Sequence, residues 1–178
     1  MTTDDGYILA LHRIPGRAGE QRKESPPLLL QHGMELDASG WLINYPHLAP
    51  AFTLVDEGYD VWMGNNRGCR YSIGHVSLNT SSREYWDFDF EEMGLYDLPA
   101  EIDFILNKTG YEKIPVIGHS EGSTQMLIGL SMRPEYYASK VSLFVALTPA
   151  AKLQYTTDPS ILLLSQRTNQ ILSRIEAN

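Results

Sequence analysis

Four short runs are apolar at almost every position: Leu28–Leu30, Tyr59 to Met63, Ile114 to Ile117 and Val141 to Leu147. Between them lie stretches with helical spacing. A strand exposed on one face alternates apolar and polar residues, whereas a strand buried on both faces is apolar throughout. Apolar strands that alternate with helices predict an α/β chain with a mostly parallel sheet and helices on both faces. Leu48 to Glu57 reads as a helix closed by Gly58. A second helix starts near Asp97, tolerates Pro99 in its first turn, and places Leu98, Ile102, Ile105 and Leu106 on one face before Gly110. A third runs from Glu121 to Met132, ahead of Pro134. Pro115 is expected at the beginning of its strand, where its missing N–H costs no ladder bond.

The outer parts of the chain read differently. Asp5-Gly6 predicts a hairpin turn with Tyr7 to Ile14 as one continuous strand after it. Only Met1 to Thr3 supply the other arm, as expected of a chain cut at its beginning. Pro15 to Pro27 is polar and predicts a surface loop. Ile161, Leu164, Ile171, Leu172 and Ile175 predict an amphipathic helix with no strand after it. At 178 residues, one domain is expected.

Gly118-His119-Ser120-Glu121-Gly122 lies between the strand Ile114–Ile117 and the helix from Glu121. This is a G-x-S-x-G pattern in a strand–turn–helix setting, which holds a serine on a tight, strained turn above a sheet. The two glycines allow close approach of strand and helix. The helix N-terminus adds partial positive charge where an oxyanion would develop. Glu121 would sit in that first turn, and the helix dipole is expected to keep its carboxyl ionised. His32-Gly33 ends the Leu28–Leu30 strand, where this fold supplies a second oxyanion N–H from the next residue. These positions make Ser120 the candidate nucleophile. The backbone N–H groups of Met34 and Glu121 are the candidate oxyanion donors, with His32, Gly33, Gly118, His119 and Gly122 as motif support.

The chain resembles the acid lipase family of α/β-hydrolases. The resemblance rests on Asp4-Asp5-Gly6-Tyr7-Ile8-Leu9 with Arg13-Ile14-Pro15, Leu30-Gln31-His32-Gly33, Trp41, and Gly58-Tyr59-Asp60-Val61-Trp62. Gly64-Asn65, Arg67-Gly68, Glu92-Met93, Tyr96-Asp97-Leu98-Pro99-Ala100 and the elbow continue it, so that it covers residues 4 to about 152. It implies an α/β-hydrolase fold and a lipid ester hydrolase acting on triacylglycerols or cholesteryl esters at a lipid–water interface, through an acyl-serine. No metal or organic cofactor is implied. A secreted or lysosomal setting is implied, and Asn79-Thr80-Ser81 and Asn107-Lys108-Thr109 make Asn79 and Asn107 candidate N-glycosylation positions.

Three departures qualify that picture. The fold's triad runs Ser, then Asp or Glu, then His, yet His12, His32, His47, His75 and His119 all precede Ser120. Glu135, Asp158 and Glu176 follow it, but none ends a recognisable strand. The expectation is an N-terminal part of such a lipase, with residues 1–152 as core and 153–178 as the beginning of the lid, truncated before the last strands. Taken alone, it is expected to fold poorly and to lack useful turnover. Glu121 stands where the family carries Gln, and Glu35-Leu36-Asp37 is acidic where relatives are apolar. The missing base leaves open a non-catalytic lipid- or partner-binding relative, and the elbow leaves open an acyltransferase.

Other classes are excluded or bland. A net charge of −8 argues against a nucleic-acid partner. No run approaches the ~18 apolar residues of a transmembrane segment. The single Cys69 reads as a small buried hydrophobe, although neighbouring arginines would lower its pKa. Asp87, Asp89, Glu91 and Glu92 lack calcium-loop spacing and read as a solvated acidic turn.

Overall fold

The computed structural model describes residues 1–19 and 25–151, with 157, 159 and 162. Apart from residue 162, the segment at 161–175 lies outside the described residues, as do almost all of 153–178 and part of the loop from Pro15. At the N-terminus, Gly6 turns the chain and Thr3 N–H donates to Tyr7 O at 2.8 Å. Thr2 then bridges Ile8, so Met1 to Thr3 do form the short arm. The strand beyond it is not continuous. It divides into β1 (Tyr7–Ile8) and β2 (His12–Ile14). Between them, Ala10 N–H donates to Ser72 Oγ and Ala10 O accepts from Asn65 Nδ2. Side chains from a distant loop thus satisfy backbone groups that a ladder would otherwise use.

Next come β3 (Pro27–Gln31), α1 (Pro50–Asp56), β4 (Asp60–Met63) and β5 (Gly74–His75). β5 pairs antiparallel with β1 in a two-stranded sheet. Asp87, Asp89, Glu91 and Glu92 surround a short α2 (Phe90–Glu92), where Asp89 and Glu92 form a capping box. A π-helical turn over Met93–Asp97 leads into α3 (Leu98–Thr109), which Gly110 ends in a left-handed conformation. β6 (Ile114–His119), α4 (Glu121–Met132), α5 (Pro134–Lys140) and β7 (Val141–Leu147) complete the described core. Pro115 is the second residue of β6, not the first. A register irregularity between Ile114 and Pro115 absorbs its missing N–H, and pairing with β3 starts only at Val116.

The main sheet has the order β2-β4-β3-β6-β7. β2 is antiparallel to β4 and every other pair is parallel. Alternate residues of each strand face opposite layers. Leu29, Trp62 and Val116 pack with Leu98, Ile102, Ile105 and Met126 from α3 and α4. Leu28, Leu30, Val61 and Met63 pack with Trp41 and with Ala51 and Val55 of α1 on the other side. Each fully buried Leu or Ile contributes about 1.5–3 kcal/mol. β7 departs from the expected burial: it is the outer strand, and among the described residues Leu143 and Leu147 are exposed.

From β3 the chain moves outward to β4, then returns to the other side of β3 for β6 and β7. The direction of winding reverses between β3 and β6. Loops leaving the carboxyl ends of two such strands diverge and leave a crevice, the place where open α/β sheets bind ligands. Gln31 ends β3 and His119 ends β6 at that crevice.

Candidate functional site

Ser120 follows β6 directly, with φ 51° and ψ −114°. A positive φ in a non-glycine residue is held at a cost of about 1–3 kcal/mol, so its surroundings must impose it. Ser120 N–H donates to Leu147 O at 2.9 Å, and Ser123 N–H donates to Ser120 O at 3.0 Å. The elbow is therefore anchored to the end of β7 on one side and to α4 on the other. A Cβ on Gly122 would stand 2.5 Å from Gln31 O and 2.7 Å from His32 O, so the helix enters over bare β3 backbone. A Cβ on Gly33 would stand 3.0 Å from Ser120 Cβ, which places the loop after β3 directly against the serine. A Cβ on Gly118 would stand 2.7 Å from Gly122 O.

The elbow brings most of the motif residues together. Among the described residues, neither Met34 N–H nor Glu121 N–H donates to a protein acceptor. Glu121 is the first residue of α4, where the N–H has no intrahelical partner. His32 is buried and fully engaged. Its Nε2 accepts from Asn66 N–H at 3.1 Å, so its Nδ1 carries the proton and donates to Gly33 O at 2.8 Å. Burial pushes the His32 pKa down, in keeping with a neutral ring. The His119 ring stands edge-on to Trp41, with centroids 6.3 Å apart.

Two clefts meet the crevice. One, of about 340 Å³, is lined by Leu36, Trp41, Ile43, Pro50, His119 and Leu147, and is mostly apolar. The other, of about 400 Å³, has Met34, Glu35, Asp37, Arg70, Met93 and Glu121 in its wall. The acidic loop divides between them, with Leu36 touching both. Asp37 caps the short turn at Ala38–Trp41 and pairs with Arg70 at 3.1 Å.

Two expectations about charge are corrected. The helix dipole does not dominate at Glu121: burial pushes its pKa up, partly offset by the Gln125 amide, whose Nε2 donates to Glu121 Oε1 at 3.1 Å. Cys69 is half-buried, and desolvation likewise raises its thiol pKa despite the neighbouring arginines.

Sequence patterns missed the polar layer beneath the site. Gln31, Asn65, Asn66, Asp97, Glu101 and Gln125 are all buried. Asn65 N–H donates to Glu101 Oε1 at 3.1 Å, and Asn65 Oδ1 accepts from Ala38 N–H at 3.1 Å. Arg67 is held between two carboxylates. Its Nη1 donates to Asp5 Oδ2 at 2.6 Å, and its Nε and Nη2 donate to Asp97 Oδ1 at 2.8 and 2.7 Å. Its guanidinium also lies 4.0 Å from the centroid of the Tyr7 ring. The one available signal was the unbroken polar run Asn65-Asn66-Arg67 at a strand end, which is unusual where apolar walls are expected.

Asn79 and Asn107 are both exposed, the first in a side-chain-stabilised turn and the second in the last turn of α3. Among the described residues no group of three or more His, Cys, Asp or Glu is placed to hold a metal ion. No described helix is long and apolar enough to cross a membrane.

A family model described as the alpha/beta hydrolase fold matches residues 26–176. A second, described as a partial alpha/beta-hydrolase lipase region, matches residues 1–45. Lipase member K of Homo sapiens is 45% identical over 176 residues, covering 97% of this chain and 44% of its own length. Lysosomal acid lipase/cholesteryl ester hydrolase of Homo sapiens is 46% identical over 159 residues, covering 88% and 40%. Gastric triacylglycerol lipase of Mus musculus is 46% identical over 161 residues, covering 89% and 40%. The chain thus spans 40 to 44% of the length of these relatives. Among solved structures, an esterase from Exiguobacterium antarcticum superposes with a TM-score of 0.55 at 18% identity, over 84% of this chain and 46% of that one.

Proposed function

Because the chain belongs to the α/β-hydrolase family, in its acid lipase branch, we propose that it carries the nucleophile and oxyanion site of a serine lipase that hydrolyses long-chain esters of glycerol or sterol. The observation that carries this reading is the strained Ser120 flanked by two N–H groups that have no protein acceptor among the described residues. Ser120 Oγ attacks the ester carbonyl. The carbonyl oxygen becomes an oxyanion held by Met34 N–H and Glu121 N–H, and the C–O bond to the alcohol breaks with a proton passing to the leaving oxygen. Water then cleaves the acyl-serine. One oxyanion donor of this kind is worth about 10²–10³ in kcat. The apolar cleft along Trp41, Ile43 and Leu147 takes the acyl chain. No residue of this segment is assigned as general base: both ring nitrogens of His32 are engaged, and every histidine precedes Ser120. The names of the relatives support triacylglycerol and cholesteryl ester as substrate classes and a secreted or lysosomal setting. In the full-length protein, a fluorophosphonate probe should attach to the peptide containing Ser120, and a dispersed long-chain triacylglycerol or cholesteryl ester should be hydrolysed. Labelling elsewhere, or turnover of neither ester, would remove the reading. Binding of the lipid without turnover would instead favour a non-catalytic carrier.

Glu121 leads to a pH-dependent expectation. Its carboxylate belongs to the residue whose N–H would hold the oxyanion, in the wall of the same cleft. At roughly 6 Å and an effective dielectric near 20, repulsion is about 3 kcal/mol before screening, or up to a hundredfold in rate. Glu121→Gln keeps the acceptor for Gln125 and removes the charge. The ratio of variant to parent kcat/KM should be well above one at neutral pH and fall toward one in acid, as the parent carboxyl takes up its proton. Since burial raises that pKa, the fall should begin at a higher pH than for an ordinary glutamate. A ratio that stays flat with pH would show that the charge is not felt at the oxyanion.

A further inference from the structure

Two N–H groups from separate loops must converge on one oxygen, and both are braced from a single side chain beneath them. Gln31 is fully buried at the end of β3. Its Nε2 donates to Asn66 Oδ1 and, at 3.4 Å, to Gln125 Oε1. Gln125 Nε2 donates in turn to Glu121 Oε1, the side chain of the residue whose amide is one oxyanion donor. On the other side, Asn66 N–H donates to His32 Nε2, and His32 Nδ1–H holds Gly33 O. Gly33 C=O and Met34 N–H belong to one planar peptide unit, so fixing the carbonyl aims the N–H.

The same series orients the amides. Gln125 turns its Nε2 to Glu121 and therefore presents Oε1 to Gln31. Gln31 answers with Nε2, which leaves its own Oε1 facing away. There, Gln31 Oε1 and Glu101 Oε2 are both buried and have no partner among the described residues. They surround one point, 2.0 and 2.6 Å from where a Cβ on Gly64 would stand. Two acceptors satisfy each other directly only when one carries a proton, and an amide oxygen does not.

We propose that Gln31 is a positioning residue for acyl transfer at Ser120, bracing both oxyanion amides at once, with the Glu101 carboxylic acid as the donor to its Oε1. Glu101 is wholly buried, its other oxygen accepts Asn65 N–H, and Asp97 lies one turn before it on the same helix. Burial and the Asp97 charge both favour its neutral form. Glycine at position 64 leaves the space in which the two side chains meet.

The proposal rests on the reading of Ser120 as nucleophile, and its test separates the two. In the full-length enzyme, Gln31→Met keeps the side-chain length and removes both hydrogen-bonding ends. It should lower kcat by roughly a hundredfold, as a misaligned donor does, with KM unchanged to within about twofold. Affinity for an alkyl trifluoromethyl ketone, which forms a tetrahedral oxyanion on the serine, should fall by the same factor. A purely structural role would lower the melting temperature without that split. Glu101→Gln supplies an N–H to Gln31 Oε1 and should keep analogue affinity close to the parent's, while Glu101→Leu should lose it. The infrared carbonyl band of a protonated carboxylic acid should be present in the parent at neutral pH and absent from Glu101→Gln. A folded Gln31→Met with parental kcat and analogue affinity overturns the proposal. So does a Glu101→Gln that fails as Glu101→Leu does, which keeps the test open should Gln31→Met not fold. Turnover that survives Ser120→Ala overturns the nucleophile assignment instead.

Discussion

Ser120→Ala should lower kcat by about 10⁶, equivalent to about 8 kcal/mol of activation free energy, with little change in substrate affinity. The size follows from the chemistry: without Oγ there is no acyl-enzyme, and the oxyanion amides have only a direct attack by water to assist. The measurement is turnover of a soluble short-chain ester by the full-length enzyme, beside a melting curve. The fold should survive the change, because the elbow is held by Ser120 N–H on Leu147 O and by Ser123 N–H on Ser120 O, both backbone contacts. A residual rate within about tenfold of the parent would place the reaction elsewhere. Ser120→Gly should be equally inactive yet more stable than Ser120→Ala, since glycine accepts φ 51° without strain.

The largest loss of stability is expected from Arg67→Ala. Arg67 and Asp97 are both almost wholly buried, and Asp5 completes the group. Removing the guanidinium leaves a buried carboxylate without its cation, which costs about 3–5 kcal/mol. The loss should shrink in acid. In the parent, burial pushes the Asp97 pKa up to about 6 against the pull of Arg67, and removing Arg67 raises it further. A carboxyl whose pKa is raised on folding contributes stability as pH falls from its folded toward its unfolded value. Asp5 has the opposite sign: Arg67 and Thr3 hold its pKa below the ordinary value, and its contribution is lost only at lower pH. Urea unfolding at pH 7 and pH 5 should therefore show a smaller gap between variant and parent at pH 5. An equal or larger gap in acid would mean that Asp97 is not the group left exposed to the penalty.

The parts of this molecule that were legible in the sequence are those governed by local pattern. Glu121–Met132 and Val141–Leu147 lie where spacing and flanking prolines put them, because a helix period or an apolar run is a property of neighbours in the chain. The strand expected over Tyr7 to Ile14 broke at Ala10, since its backbone partners are Asn65 and Ser72, more than fifty residues away. Pro134–Lys140 was missed because seven residues carry too little periodicity to separate a helix from a loop. The elbow was visible as five letters, but its supports were not. Glu101 reads as one more polar residue on an amphipathic helix until the fold presses it against Gly64. The acidic turn at Asp89–Glu92 was legible as surface, although not as the cap of a helix.

The elbow also has a history within each molecule. Ser120 is held by Leu147, its helix rests on the backbone of Gln31, and the facing loop comes from Gly33. The segment around Gln31 and Gly33, the elbow and the end of β7 are far apart in the chain, and all must be in place before Ser120 is bent into its strained form. Contacts of such wide sequence separation form late, because the loops between them must close first. During synthesis Ser120 should therefore remain unstrained until β7 has emerged and docked. On the proposed reading of Ser120, a nascent or partly unfolded copy should be inert toward esters, with reactivity arriving only once these segments have docked.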